Sequence, residues 1–281
     1  MEPRISLIVC SKNRSGKLSG FLDSINPEDM NEVRGELVLV DNNSADDTLS
    51  VMNSFKEKAS FPVKVVSEEK AGLGAARNTG LKAAGGGILA FTDDDCRLAD
   101  DYLKKVVKVF ESGEFQYCGG SVLVPDPSDA KYSLKEGTSF LIIPPRTFIG
   151  PGAIIGANMV FLREVVDTVG LFDPLFGAGS MFRGEDIEYI ARVGMAGFTG
   201  AFIPELVVYH YHGRRQGSDE LAKIISDNDF GRGACYMKMI ASGYFRYLLA
   251  WVYFILLSFR PRVFWNELRG ALAYLKLRIF G

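Results

Sequence analysis

Phe91-Thr92-Asp93-Asp94-Asp95-Cys96 sets three carboxylates side by side at the end of an apolar run. Adjacent carboxylates repel, so the cluster is costly unless something cationic sits among them. Carboxylate oxygens suit Mg²⁺ or Mn²⁺, and those ions in turn hold phosphate oxygens. The plainer use of such acids is to cap a helix, worth about 0.3–1 kcal/mol each. The helix expected from Asp100 already has Asp100 and Asp101 in its first turn, so three more acids are surplus to capping.

Four other segments carry candidate groups. Val40-Asp41-Asn42-Asn43-Ser44 puts Asp41 at a strand end, where a carboxylate can accept hydrogen bonds from a base or a ribose. An N-cap and turn is the alternative use. Lys70-Ala71-Gly72-Leu73-Gly74-Ala75-Ala76-Arg77-Asn78 has two glycines that allow close backbone approach, before a helix whose N-terminus favours an anion. Arg77, one turn inside, is placed to reach a diphosphate, or is an ordinary surface arginine. Arg183-Gly184-Glu185-Asp186-Ile187-Glu188 reads as a helix start, where the macrodipole alone explains acids. Val208-Tyr209-His210-Tyr211-His212-Gly213 holds the only 2 histidines, on one side of an extended chain. A pair at a strand end is a ligand candidate.

These groups need positioning elements. Strands are predicted at Ile5–Cys10, Glu36–Val40, Val63–Ser67 and Ile88–Thr92, and helices at Lys17–Ser24, Ala45–Lys58, Gly74–Ala84 and Asp100–Ser112. Ser44 and Asp47 resemble a capping box for the second helix. Strands alternating with helices imply a parallel sheet covered on both faces. Ligands then bind beyond the carboxyl ends of the strands, where the candidate residues fall. Cys118–Val124 is predicted as a strand, Pro125–Pro151 as a long connection, Ala153–Leu162 as a strand and Arg163–Val169 as a short helix. A longer helix is predicted at Gly184–Ala196, then a strand pair broken at Pro204 within Phe198–Tyr209. Everything from Asp219 onward reads as helical.

The chain has 281 residues, 47% hydrophobic and 23% charged, which suits a globular protein with a sizeable core. A net charge of −2 gives no basic field of the kind nucleic acid requires. Charge is uneven: from Arg246 onward six cations face one anion, so the tail carries +5 and the rest −7. Cys10, Cys96, Cys118 and Cys235 form no close pair, which argues against zinc and disulfides and for a reducing, cytoplasmic setting. The N-terminus turns polar too soon for a secretion signal.

The tail has its own pattern. Tyr247–Phe259 is almost wholly apolar, and its thirteen residues would rise about 20 Å as a helix, short of a ~30 Å bilayer core. After Arg260-Pro261-Arg262, the run Val263–Phe280 sets Phe264, Leu268, Leu272, Leu275 and Ile279 at helical spacing, with Arg269, Lys276 and Arg278 between them. An apolar stripe with cations is the pattern of a helix lying in a membrane interface. Packing on the body, or a contact in a homo-oligomer, is the alternative.

The order of the motifs is more specific than any one of them. An opening strand, VDNNSADDT, AGLGAARNTGL, FTDDDC, GANMVFLREVVDTVGLFD, RGEDIEY and VVYHYHG together resemble the family 2 inverting glycosyltransferases of GT-A fold, over roughly Ile5 to Gly213. The resemblance implies an α/β, GT-A fold: Rossmann-like, mainly parallel, with a C-terminal helical extension. Its expected divisions are a nucleotide-sugar-binding half (1–125), an acceptor-binding half with the catalytic base (126–213) and the helical, membrane-associating extension (214–281).

It also implies roles. Asp41 would contact the base, Arg77 the base and diphosphate, Asp93 the ribose and Asp95 the metal, Mn²⁺ or Mg²⁺, with Asp94 in support. Asp186 would be the catalytic base, with Glu185 near the acceptor and Asn158 of the GANM segment among the substrate-binding residues. His210, ahead of His212, would complete the metal or diphosphate site. Cys10-Ser11-Lys12-Asn13-Arg14 departs from the family's commoner Pro-Thr-x-Asn-Arg loop. The expected reaction is transfer from a UDP-sugar, or less favourably a dTDP- or GDP-sugar, to a glycan or lipid-linked acceptor, with inversion, at the inner face of the membrane. A sugar nucleotidyltransferase and an inactive nucleotide-sugar-binding module are the competing readings.

Overall fold

The computed structural model describes residues 2–257 and 260–280. Its elements run β1 (Ile5–Ser11), α1 (Ser15–Leu22), α2 (Pro27–Glu32), β2 (Gly35–Asp41), α3 (Thr48–Lys58), β3 (Val63–Ser67), α4 (Leu73–Ala83), β4 (Ile88–Asp93), β5 (Cys96–Leu98), α5 (Tyr102–Glu111) and β6 (Tyr117–Leu123). There follow β7 (Leu141–Ile143), a 3₁₀ turn (Gly156–Asn158), β8 (Met159–Leu162), α6 (Arg163–Val169), α7 (Glu185–Ala196), β9 (Gly200–His210), α8 (Asp219–Ala241), α9 (Arg246–Leu257) and α10 (Pro261–Phe280).

One sheet has the order β3-β2-β1-β4-β8-β6-β9-β5, with β7 also on β9. Pairing is parallel from β3 to β4; beyond it, β8 is antiparallel to both its neighbours. Period-two alternation sorts the strands onto two cores. Ile5, Leu7 and Val9 face a cluster completed by α1, α2, α3 and α5, and Ile8, Val38 and Val40 face one completed by α4, α6 and α7. The expected GT-A-like α/β layering is therefore present, with helices on both faces.

Several local expectations differ. The segment read as one strand at Ala153–Leu162 is a 3₁₀ turn followed by the short β8. The strand pair expected to break at Pro204 is a single strand, β9. Its register against β6 jumps from Ile203 to Val207, so proline sits in a bulge where no ladder donor is needed. The Ser44–Asp47 capping box is absent: the helix begins at Thr48, and Ser44 Oγ accepts from Asn13 N at 3.0 Å. The long connection contains β7, and β5 and α2 had no strong periodic signal.

A third core joins the body to the C-terminal helices. Phe176, Phe182, Ala191 and Met195 pack with Ala234, Tyr236, Met239, Tyr247, Trp251 and Ala271. The helices α8 and α10 meet at backbone distance through glycine. A Cβ on Gly233 would lie 1.9 Å from Glu267 O, and one on Gly270 would lie 1.8 Å from Phe230 O. On α10 the inward face is Glu267, Gly270 and Ala271; Leu272 and Ile279 of the expected stripe are exposed, and Leu268 and Leu275 are half-buried. Ser258 and Phe259, the end of the apolar run read from sequence, lie outside the described residues. Among the described residues no helix is long and apolar enough to cross a membrane.

Gly270→Ala should force the two helices apart and cost about 1–3 kcal/mol, the usual range for overpacking. Denaturant unfolding measures it, and an unchanged midpoint would contradict the close contact.

Candidate active site

A cleft of about 730 Å³ opens at the carboxyl ends of β1, β2 and β4, bounded opposite by the start of α7 and by His210 at the end of β9. Crossover connections leave every parallel strand end on this side, so loops from distant parts of the chain converge there. Asp93, Asp94, Asp95, Glu185, Asp186 and His210 all line it.

The three consecutive acids have different surroundings. Asp94 is buried, accepts from Ser11 Oγ at 2.6 Å and lies 3.1 Å from Arg14 Nη1. Burial pushes its carboxyl up to about 6, against the pull of Arg14 and Ser11. Asp95 is also buried and pairs with Arg14 Nη2, with His210 Nε2 at 3.1 Å and Lys17 Nζ at 4.0 Å. Burial alone would raise Asp95, but His210 and Arg14 together hold it well below the usual carboxylate range. The same contact raises His210, overcoming the effect of its own burial. Asp93 is the most open of the three.

Donor atoms of Asp93, Asp95, Cys96 and His210 lie within 4.8 Å of one another. Two carboxylates and an imidazole suit Mn²⁺ or Mg²⁺, and His210 Nδ1 is a buried nitrogen with no partner among the described residues. The Cys96 thiol lies within the same group, but a soft sulfur ligand suits Mn²⁺ or Mg²⁺ less well than carboxylate oxygens do. His212, the alternative to His210 as ligand, is used otherwise. Its Nδ1 accepts from Arg214 N at 2.9 Å and its Nε2 meets Ala130 O at 3.1 Å, so the network assigns the tautomer and leaves neither nitrogen for a metal.

Arg77 lines the cleft but is no surface arginine, and its guanidinium, expected to reach the base and diphosphate, is engaged by protein groups. The residue is 2% exposed and sits in the cleft floor. Nη1 lies 3.1 Å from Glu185 Oε1, Nη2 lies 3.6 Å from Asp93 Oδ1, and Nη2 donates to Gly156 O at 3.2 Å. The rings of Phe91 and Phe172 lie 5.5 Å and 5.7 Å from its guanidinium carbon. Glu185 is buried with it; burial and the neighbouring Asp186 charge raise its carboxyl, and Arg77 opposes them.

Asp186 faces the cleft with both oxygens held by amides, Oδ2 by Gly156 N and Oδ1 by Ile187 N, each at 2.8 Å. Gly156 has no room for a side chain: a Cβ would lie 2.9 Å from Arg77 Nη2 and 3.2 Å from Asp186 Oδ2.

Two expected substrate-binding residues stand elsewhere. Asn158 is 0% exposed and its amide is fully used. It accepts from Tyr102 OH at 2.7 Å and donates to Ser121 O at 3.0 Å and Leu206 O at 2.8 Å, tying the β9 bulge to β6. Asp41 lies behind the wall, where Oδ2 accepts from Ser44 N at 3.3 Å and Oδ1 is buried without a partner among the described residues. Its neighbour Asn42 lines the cleft instead. Asn42 pins the glycine-rich loop by donating to Glu68 O and Lys70 O and accepting from Gly72 N at 3.0 Å. Sequence reading missed Asn42, Arg14 and Gly156. Their position just past strand ends, and the single glycine in GANM, were the available signals.

Comparisons with known proteins bear on what this cleft does. The sequence model of glycosyl transferase family 2 matches residues 6–170. The chain is similar to the glycosyltransferase AglE of Haloferax volcanii, at 24% identity over 261 residues, 92% of this chain and 82% of that protein. Its structure is similar to the mannosyltransferase PcManGT from Pyrobaculum calidifontis in complex with GDP-Man and Mn²⁺, with TM-score 0.67, 21% identity, and 100% of this chain and 76% of that one covered. It is also similar to residues 1–349 of S. aureus TarS in complex with UDP-GlcNAc, with TM-score 0.63, 15% identity, and 97% and 81% covered. These two likenesses show the fold, GT-A.

Arg77→Met should leave the buried Glu185 carboxylate uncompensated and the half-buried Asp93 without its partner, and cost about 3–5 kcal/mol. Adding Glu185→Gln should recover part of that loss. Denaturant titration of both variants checks it; a single-variant loss below about 1 kcal/mol would contradict the role given to Arg77.

Proposed function

Because the chain belongs to glycosyl transferase family 2 and is a glycosyltransferase, we propose that it transfers a sugar from a nucleotide-sugar with inversion, in one metal-dependent displacement. The observation that carries this reading is that Arg77 couples Asp93 to Glu185, so the donor-side acids and Asp186 line one cleft. UDP-sugars are the first choice of donor, supported by the UDP-GlcNAc complex of TarS. GDP-sugars are second, supported by the GDP-Man complex of PcManGT.

Asp93, Asp95 and His210 are the residues that would hold Mn²⁺ or Mg²⁺. A divalent cation there supplies electrostatic stabilisation for the charge developing on the departing nucleoside diphosphate. Asp186 is the proposed base. Its two amide contacts fix the carboxylate in the cleft wall while leaving lone pairs for the acceptor hydroxyl. As that oxygen forms its bond to the anomeric carbon, its proton passes to Asp186 and the sugar–phosphate bond breaks. Attack from the face opposite the leaving group gives inversion.

The proposed acceptor is lipid-linked, with the protein peripheral on the cytoplasmic leaflet. Support comes from the C-terminal helices, which expose Leu249, Leu256, Trp265 and Phe280 beside exposed Arg262, Arg269, Lys276 and Arg278. Apolar groups among cations suit an anionic membrane surface.

Nucleoside diphosphate release should fall to background in excess EDTA and return with Mn²⁺; full activity in EDTA contradicts the metal assignment. Asp186→Asn should lower turnover ~10²–10⁴-fold while donor affinity is retained. Lost donor binding with normal turnover at saturation would reverse the assignment. Full-length protein should sediment with anionic liposomes at low salt, and a chain truncated after Gly243 should not. A full-length protein that stays in solution as a dimer would assign the apolar face to self-association instead.

A further inference from the structure

A second cavity, of about 470 Å³, lies between the C-terminal helices and the body. Its apolar wall is Ile225 of α8, Trp251, Phe254 and Ile255 of α9, and Val263 and Phe264 of α10. That volume falls within the range of roughly 300–1,000 Å³ common to small-molecule sites. At its base one cation, Arg232, is held between two carboxylates, which leaves a single negative charge there. Arg232 donates to Glu267 at 2.5 Å and to Asp229 at 2.8 Å, and Trp251 Nε1 donates to Glu267 at 2.7 Å. Those groups are hydrogen-bonded to one another, and the wall above them is apolar. Arg260 stands exposed at the rim and pairs with no acid among the described residues.

The cavity adjoins the cleft. Pro151 lines both, with Gly150 on the cavity side and Gly152 on the cleft side. On α8 the adjacent residues Asn228 and Asp229 face the cleft and the cavity respectively. The helix that supplies Trp251, Phe254 and Ile255 to the cavity also exposes Leu248, Val252 and Leu256. An apolar pocket beside a sugar-transfer cleft, walled by a helix with exposed apolar residues, suits a hydrocarbon tail.

We propose that this cavity receives the hydrocarbon chain of an acceptor lipid whose anionic linkage meets Arg260 and whose polar head passes Pro151 into the cleft. The proposal rests on the glycosyltransferase reading and names where its lipid-linked acceptor is held.

Binding of alkyl phosphates of increasing chain length tests it. The protein carries 2 tryptophans, so in a Trp265→Phe background Trp251 reports directly on the cavity. A bromine-tailed alkyl phosphate should quench Trp251 saturably. Affinity should rise by roughly fourfold per methylene until the cavity is full, as burial of apolar groups requires. Ile225→Phe, which fills the cavity from a partly exposed position, should weaken long-chain binding by about tenfold with its melting temperature retained. It should also collapse the preference of turnover for a long-chain over a methyl-capped phosphoglycoside acceptor. Ile255→Ser should act in the same direction by making the wall polar. Affinity independent of chain length, or quenching that appears only with vesicles, would overturn the proposal. Quenching needs neither donor nor turnover, so it stands or falls separately from the reaction. Failure of nucleotide release with every acceptor would overturn the glycosyltransferase reading alone.

Discussion

A guanidinium buried between two acidic segments is the interaction on which the rest of the site depends. Asp93 closes β4 and Glu185 opens α7, and neither carboxylate is compensated there without Arg77. Stranding a buried ion costs several kcal/mol, whereas a paired and hydrogen-bonded one is tolerated. The rings of Phe91 and Phe172 hold the guanidinium in place, so Arg77 works as a strut. Gly156 is the second constraint. Its amide holds Asp186, its carbonyl receives Arg77, and its lack of a side chain lets both approach. The position of Asp186 relative to the donor-side acids is therefore set by packed groups.

A separate balance operates at the other end of the acidic run. Arg14 reaches from the loop after β1 to both Asp94 and Asp95, and His210 reaches Asp95 from the end of β9. Consecutive carboxylates survive there because Arg14 is shared by both, with the Ser11 hydroxyl added at Asp94 and His210 at Asp95. The two ends of the run are thus fixed by different elements, and Asp93, the most open, faces the cleft between them.

Much of this was legible from sequence, for identifiable reasons. Strands β1 to β4 announce themselves by continuous apolar runs bounded by turn residues, since parallel strands are covered on both faces. The acidic run was legible because its charge exceeds what a helix start needs. Other features depended on partners far along the chain. His210 and His212 share a side of the strand, and only Ala130 and Arg214 decide that His212 is occupied. Asn158 lies in a motif that reads as substrate-binding, yet its amide is consumed by a bulge created at Pro204. Arg77 lies one turn inside a helix, where periodicity alone does not say that two aromatic rings and two acids enclose it. Strands of three residues, such as β5 and β7, carry too few positions to show a period.

The central claim is a single displacement with Asp186 as base. The most direct measurement is the anomeric configuration of the first-formed product, followed by proton NMR from a donor of defined configuration. The account predicts a product of opposite configuration from the earliest time points. A product that retains the donor's configuration would require two displacements, and would contradict it.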